Sequence, residues 1–225
     1  MSQKYAINEV FESIQGEGTF TGMGAIFIRL QGCDVGCPWC DTQQTWLQKA
    51  DMELSLAELP VPSNNSEHWA WASANELLGL IKNRGYCAKL IVITGGEPAS
   101  VDLRPLSDLF IDNAYQVQLE TSGTYPVLIN DKAWVTVSPK VAMKAKMPVL
   151  QQALERADEI KHPVAMERDI DNLKDLLKML PADHHKQICL QPISCQKRAT
   201  QLAIKHCLKE GWRLSVQLHK YLDVE

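Results

Sequence analysis

The sequence predicts an α/β fold: an incomplete barrel of about six core parallel strands with helices outside, open on one side. Three observations predict it. Short apolar runs alternate with amphipathic stretches from Lys89 onward. A polar or glycine-bearing loop follows each run, and in parallel sheets such loops gather functional groups at the carboxyl ends of the strands. The chain has 225 residues and its 51–70 stretch is too polar for core, whereas a closed eight-stranded barrel takes about 250.

From Ile7, alternation gives way to Gln15-Gly-Glu-Gly18, which predicts a short strand running into a tight turn with Gln15, Gly16 and Glu17 at its tip. The compact apolar run 25–30 reads as a buried strand, and Arg29 inside it calls for an anionic partner. That partner is either a bound carboxylate or an ion pair with Glu17 or Glu97. This strand empties into a cysteine loop. Residues 51–70, with Pro60, Pro62 and Ser63-Asn-Asn-Ser66, read as an irregular insertion packed down by Trp69 and Trp71.

Ser73 with Glu76 three residues on predicts a helix start; Leu77, Leu78 and Ile81 give its apolar face and Gly85 its end. Strands are then expected at 89–94, 116–120, 134–138, 159–161, 187–191 and 213–217, with helices at 103–113, 149–157, 169–180 and 199–210. No internal repeat or linker divides the chain, so one domain over 1–225 is expected.

Apolar content of 45% and charged content of 22% are ordinary for a soluble globular protein. The N-terminus has no basic region followed by an apolar run, and no stretch approaches membrane-spanning length, so a cytoplasmic protein is expected. Seven cysteines, an odd number in a chain of this size, suit a reducing compartment better than a disulfide framework. Of the scattered Cys87, Cys189, Cys195 and Cys207, Cys87 and Cys207 read as small buried or surface residues on helices. A net charge of −4 gives no attraction to polyanions, so neither nucleic acid nor membrane is an expected partner.

The chemistry is concentrated in Cys33-Asp-Val-Gly-Cys37-Pro-Trp-Cys40. Thiolates at this spacing suit an iron–sulfur cluster or zinc. A structural zinc site needs a fourth ligand, and the next candidates are His68 and Cys87. A four-iron cluster on three cysteines keeps one iron open to a small molecule. The second signal is Thr94-Gly-Gly-Glu97-Pro98, where glycines let the backbone approach a ligand and Glu97 can accept from an ammonium group; strand–Gly–Gly turns are also common without function.

Further polar groups close the remaining strands: Glu120 with Ser122, Ser138 with Lys140, Lys161, Gln191 with Ser194, and His219. Each has a plain reading as a capping, turn or packed residue. Their recurrence on one rim points to a single large polar site.

The three cysteines with Trp39 before the last, followed by Gly-Gly-Glu-Pro, resemble the radical S-adenosylmethionine (SAM) superfamily. Its fold would be an incomplete TIM-type barrel. From Ile7 to Tyr221 the chain is similar to the 7-carboxy-7-deazaguanine synthase family in its enterobacterial form. The shared stretches are Phe11-Glu-Ser-Ile-Gln-Gly-Glu-Gly18, Ile26-Phe-Ile-Arg-Leu-Gln-Gly-Cys33, Cys37-Pro-Trp-Cys-Asp-Thr42, Ile93-Thr-Gly-Gly-Glu-Pro98, Glu120-Thr-Ser-Gly123, Val137-Ser-Pro-Lys140, Leu190-Gln-Pro-Ile-Ser194 and His219-Lys-Tyr221. Departures lie at 51–70 and around Lys144 to Met147.

The resemblance implies a [4Fe–4S] cluster on Cys33, Cys37 and Cys40, whose open iron binds SAM. A SAM-derived radical would then start the conversion of 6-carboxy-5,6,7,8-tetrahydropterin to 7-carboxy-7-deazaguanine with loss of ammonia. It implies SAM contacts from Trp39, Gly96, Glu97, Glu120, Ser138, Pro139, Lys140, Gln191, Pro192, Ile193 and Ser194. It implies pterin contacts from Ile14, Gln15, Gly16, Arg29, Thr94 and His219, and Mg²⁺ on Thr42. A homodimer and an electron donor such as flavodoxin follow from the same resemblance. A glycyl-radical activating enzyme and a non-enzymatic metal-binding module are the competing classes.

Overall fold

The protein is described by a computed structural model covering residues 2–60, 66–141, 143 and 145–222. Pro62, Ser63, Asn64 and Asn65 of the expected insertion, and Lys144, lie outside the described residues. Among the described residues nine strands form one sheet. Strands β1 (Lys4–Ile14), β2 (Gly24–Leu30) and β3 (Ala70–Ser73) occupy one end, with β1 antiparallel to both of its neighbours. From β2 the sheet continues in parallel through β4 (Leu90–Gly95), β5 (Gln116–Thr121), β6 (Trp134–Val137), β7 (Glu159–Val164), β8 (Gln187–Pro192) and β9 (Arg213–Leu214). The run from β2 to β8 supplies the six expected parallel strands, and with edges at β3 and β9 the sheet is not closed.

Helices α1 (Ala74–Asn83), α2 (Arg104–Asp112), α3 (Gln151–Arg156), α4 (Glu167–Leu177) and α5 (Lys197–Glu210) fall between strands, and a short α6 (His219–Leu222) follows β9. The start of α1 is read correctly from its residues: the Ser73 hydroxyl accepts from Glu76 N–H, and the Glu76 carboxylate accepts from Ser73 N–H at 2.7 Å. Leu77 and Ile81 of α1, Leu106 and Phe110 of α2 and Leu173 of α4 are fully buried in one core with Ile91, Ile93, Leu119 and Val135 of the strands. This burial of apolar faces sets which side of each helix meets the sheet.

Several boundaries differ from expectation for visible reasons. The insertion ends in β3, because Ala70 and Ala72 are small enough to pair against β1 and be buried. Strand β7 runs past Lys161 through Pro163. Its pairing with β6 stops at Ile160, so Pro163 lies where β8 is the only strand beside it and a missing N–H is tolerated. Strand β9 is only two residues long, since Ser215 turns inward, where its hydroxyl oxygen accepts from Gly18 N–H. Cys207 is buried on α5 as expected, whereas Cys87 is exposed in the loop before β4 rather than on a helix.

The open side is crossed by the turn after β1. Thr19 N–H donates to Glu159 at 2.7 Å, and Leu218 N–H donates to the Gly16 carbonyl at 2.9 Å. Segments distant in sequence therefore meet across the opening, Thr19 at the amino end of β7 and Gly16 at the start of the chain's last turn. No helix among the described residues is long and apolar enough to cross a membrane.

Candidate active site

Strand β2 delivers the chain at Leu30, and the cysteine loop begins from a fixed base. Gln31 is buried, donating its N–H to the Ala6 carbonyl and its amide to the carbonyls of Gln44 and Leu47. Gly32 and Cys33 N–H groups donate to the carbonyls of Thr45 and Trp46. The thiols of Cys33, Cys37 and Cys40 group with Val35 and Met143. Burial pushes the Cys33 thiol up to about 11 and raises that of Cys37 as well. Among the described residues no three His, Cys, Asp or Glu side chains are placed to hold a single metal ion. An iron–sulfur cluster is wider than one ion, so three soft thiolates around one cavity fit it without converging on a point.

Behind the cysteines stands the Gly-Gly-Glu-Pro turn that ends β4. Gly95 has φ +123°, and a Cβ there would lie 2.3 Å from Leu30 N. A Cβ on Gly96 would lie 2.1 Å from the Gly32 carbonyl oxygen. The close approach that these glycines permit is thus to the base of the cysteine loop itself, stitched by Gly96 N–H to Leu30 O and Glu97 N–H to Gly32 O, both 2.9 Å. The buried Glu97 carboxylate is aimed by the Thr121 hydroxyl at 2.6 Å, Ser122 N–H at 2.8 Å and Ala99 N–H at 3.0 Å.

Two chambers open at the carboxyl ends of the strands. The first, about 240 Å³, is lined by the three cysteines, Trp39, Gly96, Glu97, Ser138, Lys140, Gln191, Ile193 and Ser194. Ser194 holds φ +53°, a conformation few side chains adopt without a tertiary reason. The second, about 210 Å³, is lined by Ile14, Gln15, Gly16 and His219. Its apolar surface comes from Phe11 and Phe27, whose rings stack at 5.0 Å with only 9° between their planes, together with Val92. Arg29, Thr42, Thr94 and Glu120 line both chambers. Of the expected site residues, Pro139 and Pro192 line neither.

Arg29 pairs through Nε with Glu9, its cross-strand partner on β1, rather than with Glu17 or Glu97. Burial makes Glu9 depend on that charge, and Arg29 still faces both chambers.

Glu17, Asp41 and Lys161 also line both chambers; the sequence placed Lys161 on the polar rim and Glu17 at the tip of its turn but gave none of the three a binding role. Lys161 Nζ donates to Glu17 Oε2 at 2.6 Å and to both Glu120 oxygens at 2.8 and 2.9 Å. For Glu17, burial alone would raise the pKa, but the Lys161 charge and hydrogen bonds overcome it and hold the carboxyl down at about 2. For Glu120, burial dominates and pushes it up to about 7, with Lys161 opposing and Glu17 reinforcing. The available signal was a lysine closing an apolar strand and a carboxylate between two glycines.

Next to Lys161, His162 is buried, and its Nδ1 has no partner among the described residues. Burial, aided by the Lys140 charge, lowers its pKa to about 4. The folded value lies below the unfolded one, so the neutral ring's contribution is complete above about pH 6.5 and is lost as pH falls toward 4. Between pH 7 and 5 this one group should cost about 2 kcal/mol of stability. Urea unfolding at the two pH values checks it: His162→Gln should flatten that part of the profile, and an unchanged slope would contradict the assignment.

No protein-family model matches the chain. It is 52% identical over 221 residues to the 7-carboxy-7-deazaguanine synthase of Escherichia coli, an alignment spanning 98% of this chain and 99% of the relative. Identity to the synthase of Buchnera aphidicola is 40% over 98% of this chain and 99% of that one. For Synechocystis it is 34% over 100% and 95%. The crystal structure of QueE from Escherichia coli superimposes with a TM-score of 0.93 over 96% of this chain and 95% of its own. Matched across nearly its full length, with the incomplete barrel and the cysteine loop in place, the chain belongs to the 7-carboxy-7-deazaguanine synthase family of radical SAM enzymes.

Proposed function

We propose that the protein converts 6-carboxy-5,6,7,8-tetrahydropterin to 7-carboxy-7-deazaguanine, the product for which its relatives are named, with loss of ammonia, as a step in making 7-deazapurines such as queuosine. The observation that carries this is the pair of chambers sharing one wall, one ringed by three cysteines and the other floored by stacked phenylalanines.

Cys33, Cys37 and Cys40 hold the [4Fe–4S] cluster, which together with SAM supplies the one-electron chemistry and hydrogen abstraction that side chains cannot. The protein's part is to orient and shield. Glu97, fixed by Thr121 and Ser122, presents its carboxylate to the SAM ammonium. Trp39 would take the adenine, while Gly96, Glu120, the 138–140 loop and residues 191–194 would hold the rest of the cofactor. The Phe11 and Phe27 surface accepts a flat pterin ring. Ile14, Gln15 and Gly16 meet its edge, with Thr94 and His219 beside them. The Arg29 guanidinium, using Nε for Glu9, directs its terminal nitrogens at the substrate carboxylate.

Thr42, whose Oγ1 lies 3.6 Å from Cys40 Sγ, would be the protein ligand of Mg²⁺, a cation that takes oxygen donors and keeps few from the protein. A cytoplasmic homodimer reduced by a flavodoxin-like donor completes the reading.

The test is anaerobic incubation of reconstituted protein with SAM, dithionite, Mg²⁺ and the carboxylated pterin, followed by mass analysis. The deazaguanine acid and ammonia are expected; unchanged pterin would overturn the assignment. Thr42→Val, which removes the hydroxyl and keeps the shape, should raise the Mg²⁺ concentration for half-maximal turnover about tenfold. An identical Mg²⁺ titration would remove Thr42 from the metal.

A further inference from the structure

We propose that Lys161 is a positioning residue for this reaction: its ammonium, clamped between the carboxylates of Glu17 and Glu120, sets the wall that the two chambers share. All three side chains line both cavities, and Lys161 is only 4% exposed. An ammonium has three N–H donors, and here Glu17 Oε2, Glu120 Oε1 and Glu120 Oε2 occupy three acceptor positions around it. Lys161 therefore has no donor left for a ligand and acts through the carboxylates it holds.

Those carboxylates lead in different directions. Glu17 Oε1 accepts from the amide of Gln191, near the carboxyl end of β8, at 3.2 Å and from Gln217, in the segment before α6, at 3.0 Å. Glu120 Oε1 accepts from Gln118 at 3.2 Å. The Gln118 amide oxygen in turn accepts from Gln15, on the turn that borders the second chamber, at 2.9 Å. A second bond from Gln118 to the Thr136 hydroxyl at 3.1 Å fixes that glutamine from behind. One cation thus ties the end of β8, which lines the first chamber, to the second chamber's turn. Without it, two partly buried carboxylates face each other unneutralised, and the wall must shift or take up a proton.

The inference rests on the reading of the two chambers given above, and its consequence is a change in alignment rather than in the amount of active protein. Lys161→Met, in reconstituted protein, should raise the 5′-deoxyadenosine released per deazaguanine acid formed by about tenfold, because substrate displaced from the cofactor misses the transfer. A loss of folded protein would lower both products together and leave that ratio unchanged. In cluster-free protein, the same substitution should weaken carboxypterin binding, read by calorimetry, by about tenfold through the Gln15 turn.

Lys161→Arg, whose guanidinium also bridges two carboxylates, should restore most of the ratio and the affinity. If Lys161→Met fails to fold, the Lys161→Met/Glu17→Gln double variant, which carries one fewer unpaired charge, decides the matter by the same two readouts. An unchanged ratio and unchanged affinity in the folded variant would overturn the proposal. If the unsubstituted enzyme bound pterin but formed no product, the assigned reaction would fail while the binding measurement still decided the role of Lys161.

Discussion

Cys37→Ala is expected to leave a folded protein with no iron cluster and no SAM cleavage. The substitution deletes one sulfur from a loop whose path does not depend on it, since Gly32, Cys33 and Gln31 are tied by hydrogen bonds to the 44–47 segment and to β1. Cys37 itself packs with Val35 and Met143 in a small satellite cluster, so its loss should change the unfolding free energy of cluster-free protein by about 1 kcal/mol at most. The effect on the metal is different in kind. If three cysteines hold a four-iron cluster with one vertex open, as proposed, the two that remain should not retain it. Visible absorbance, iron content and deoxyadenosine release should all fall to background; turnover at even a few per cent would refute the ligand assignment.

Gly96→Ala is expected to have the next largest effect, although the residue carries no chemistry. A methyl there would sit 2.1 Å from the Gly32 carbonyl oxygen, 2.6 Å from its carbon and 3.2 Å from Cys33 Cβ. Backbone cannot step aside as a flexible side chain can. The contact must open the two 2.9 Å bonds that join the Gly-Gly-Glu-Pro turn to the cysteine loop, displacing Cys33 and Glu97 together. A cost of about 3 kcal/mol in stability and a fall of about a hundredfold in turnover are expected. Gly79→Ala is the matched control. It lies mid-helix with nothing within 4 Å of the added carbon, and alanine favours helix, so it should be neutral or stabilising. Urea unfolding and iron content measured on both variants separate packing at the loop from a general intolerance of alanine.

Features that depend on neighbours in sequence were legible. The helix start at Ser73 and Glu76, the strand–loop–helix alternation, and the three cysteines after an apolar strand all reside within windows of a few residues. Features that depend on pairing across the sheet were not. Arg29 could be recognised as needing an anion, but that the anion is Glu9 follows only from the β1–β2 register. Lys161 meets Glu17 and Glu120 across separations of 144 and 41 residues, so neither pattern nor propensity could join them. The two glycines of the β4 turn were correctly read as allowing a close approach, yet what approaches is the protein's own cysteine loop. Sequence spacing reported the chemistry of single residues, whereas the wall between the chambers is a property of the closed fold.

The most direct measurement is magnetic resonance on the reduced, reconstituted protein with SAM labelled in its amino nitrogen and carboxylate oxygens. The account predicts that both labels couple to the cluster spin, because one iron is left for them by Cys33, Cys37 and Cys40. Absence of coupling, with a fourth protein side chain found on that iron, would contradict it.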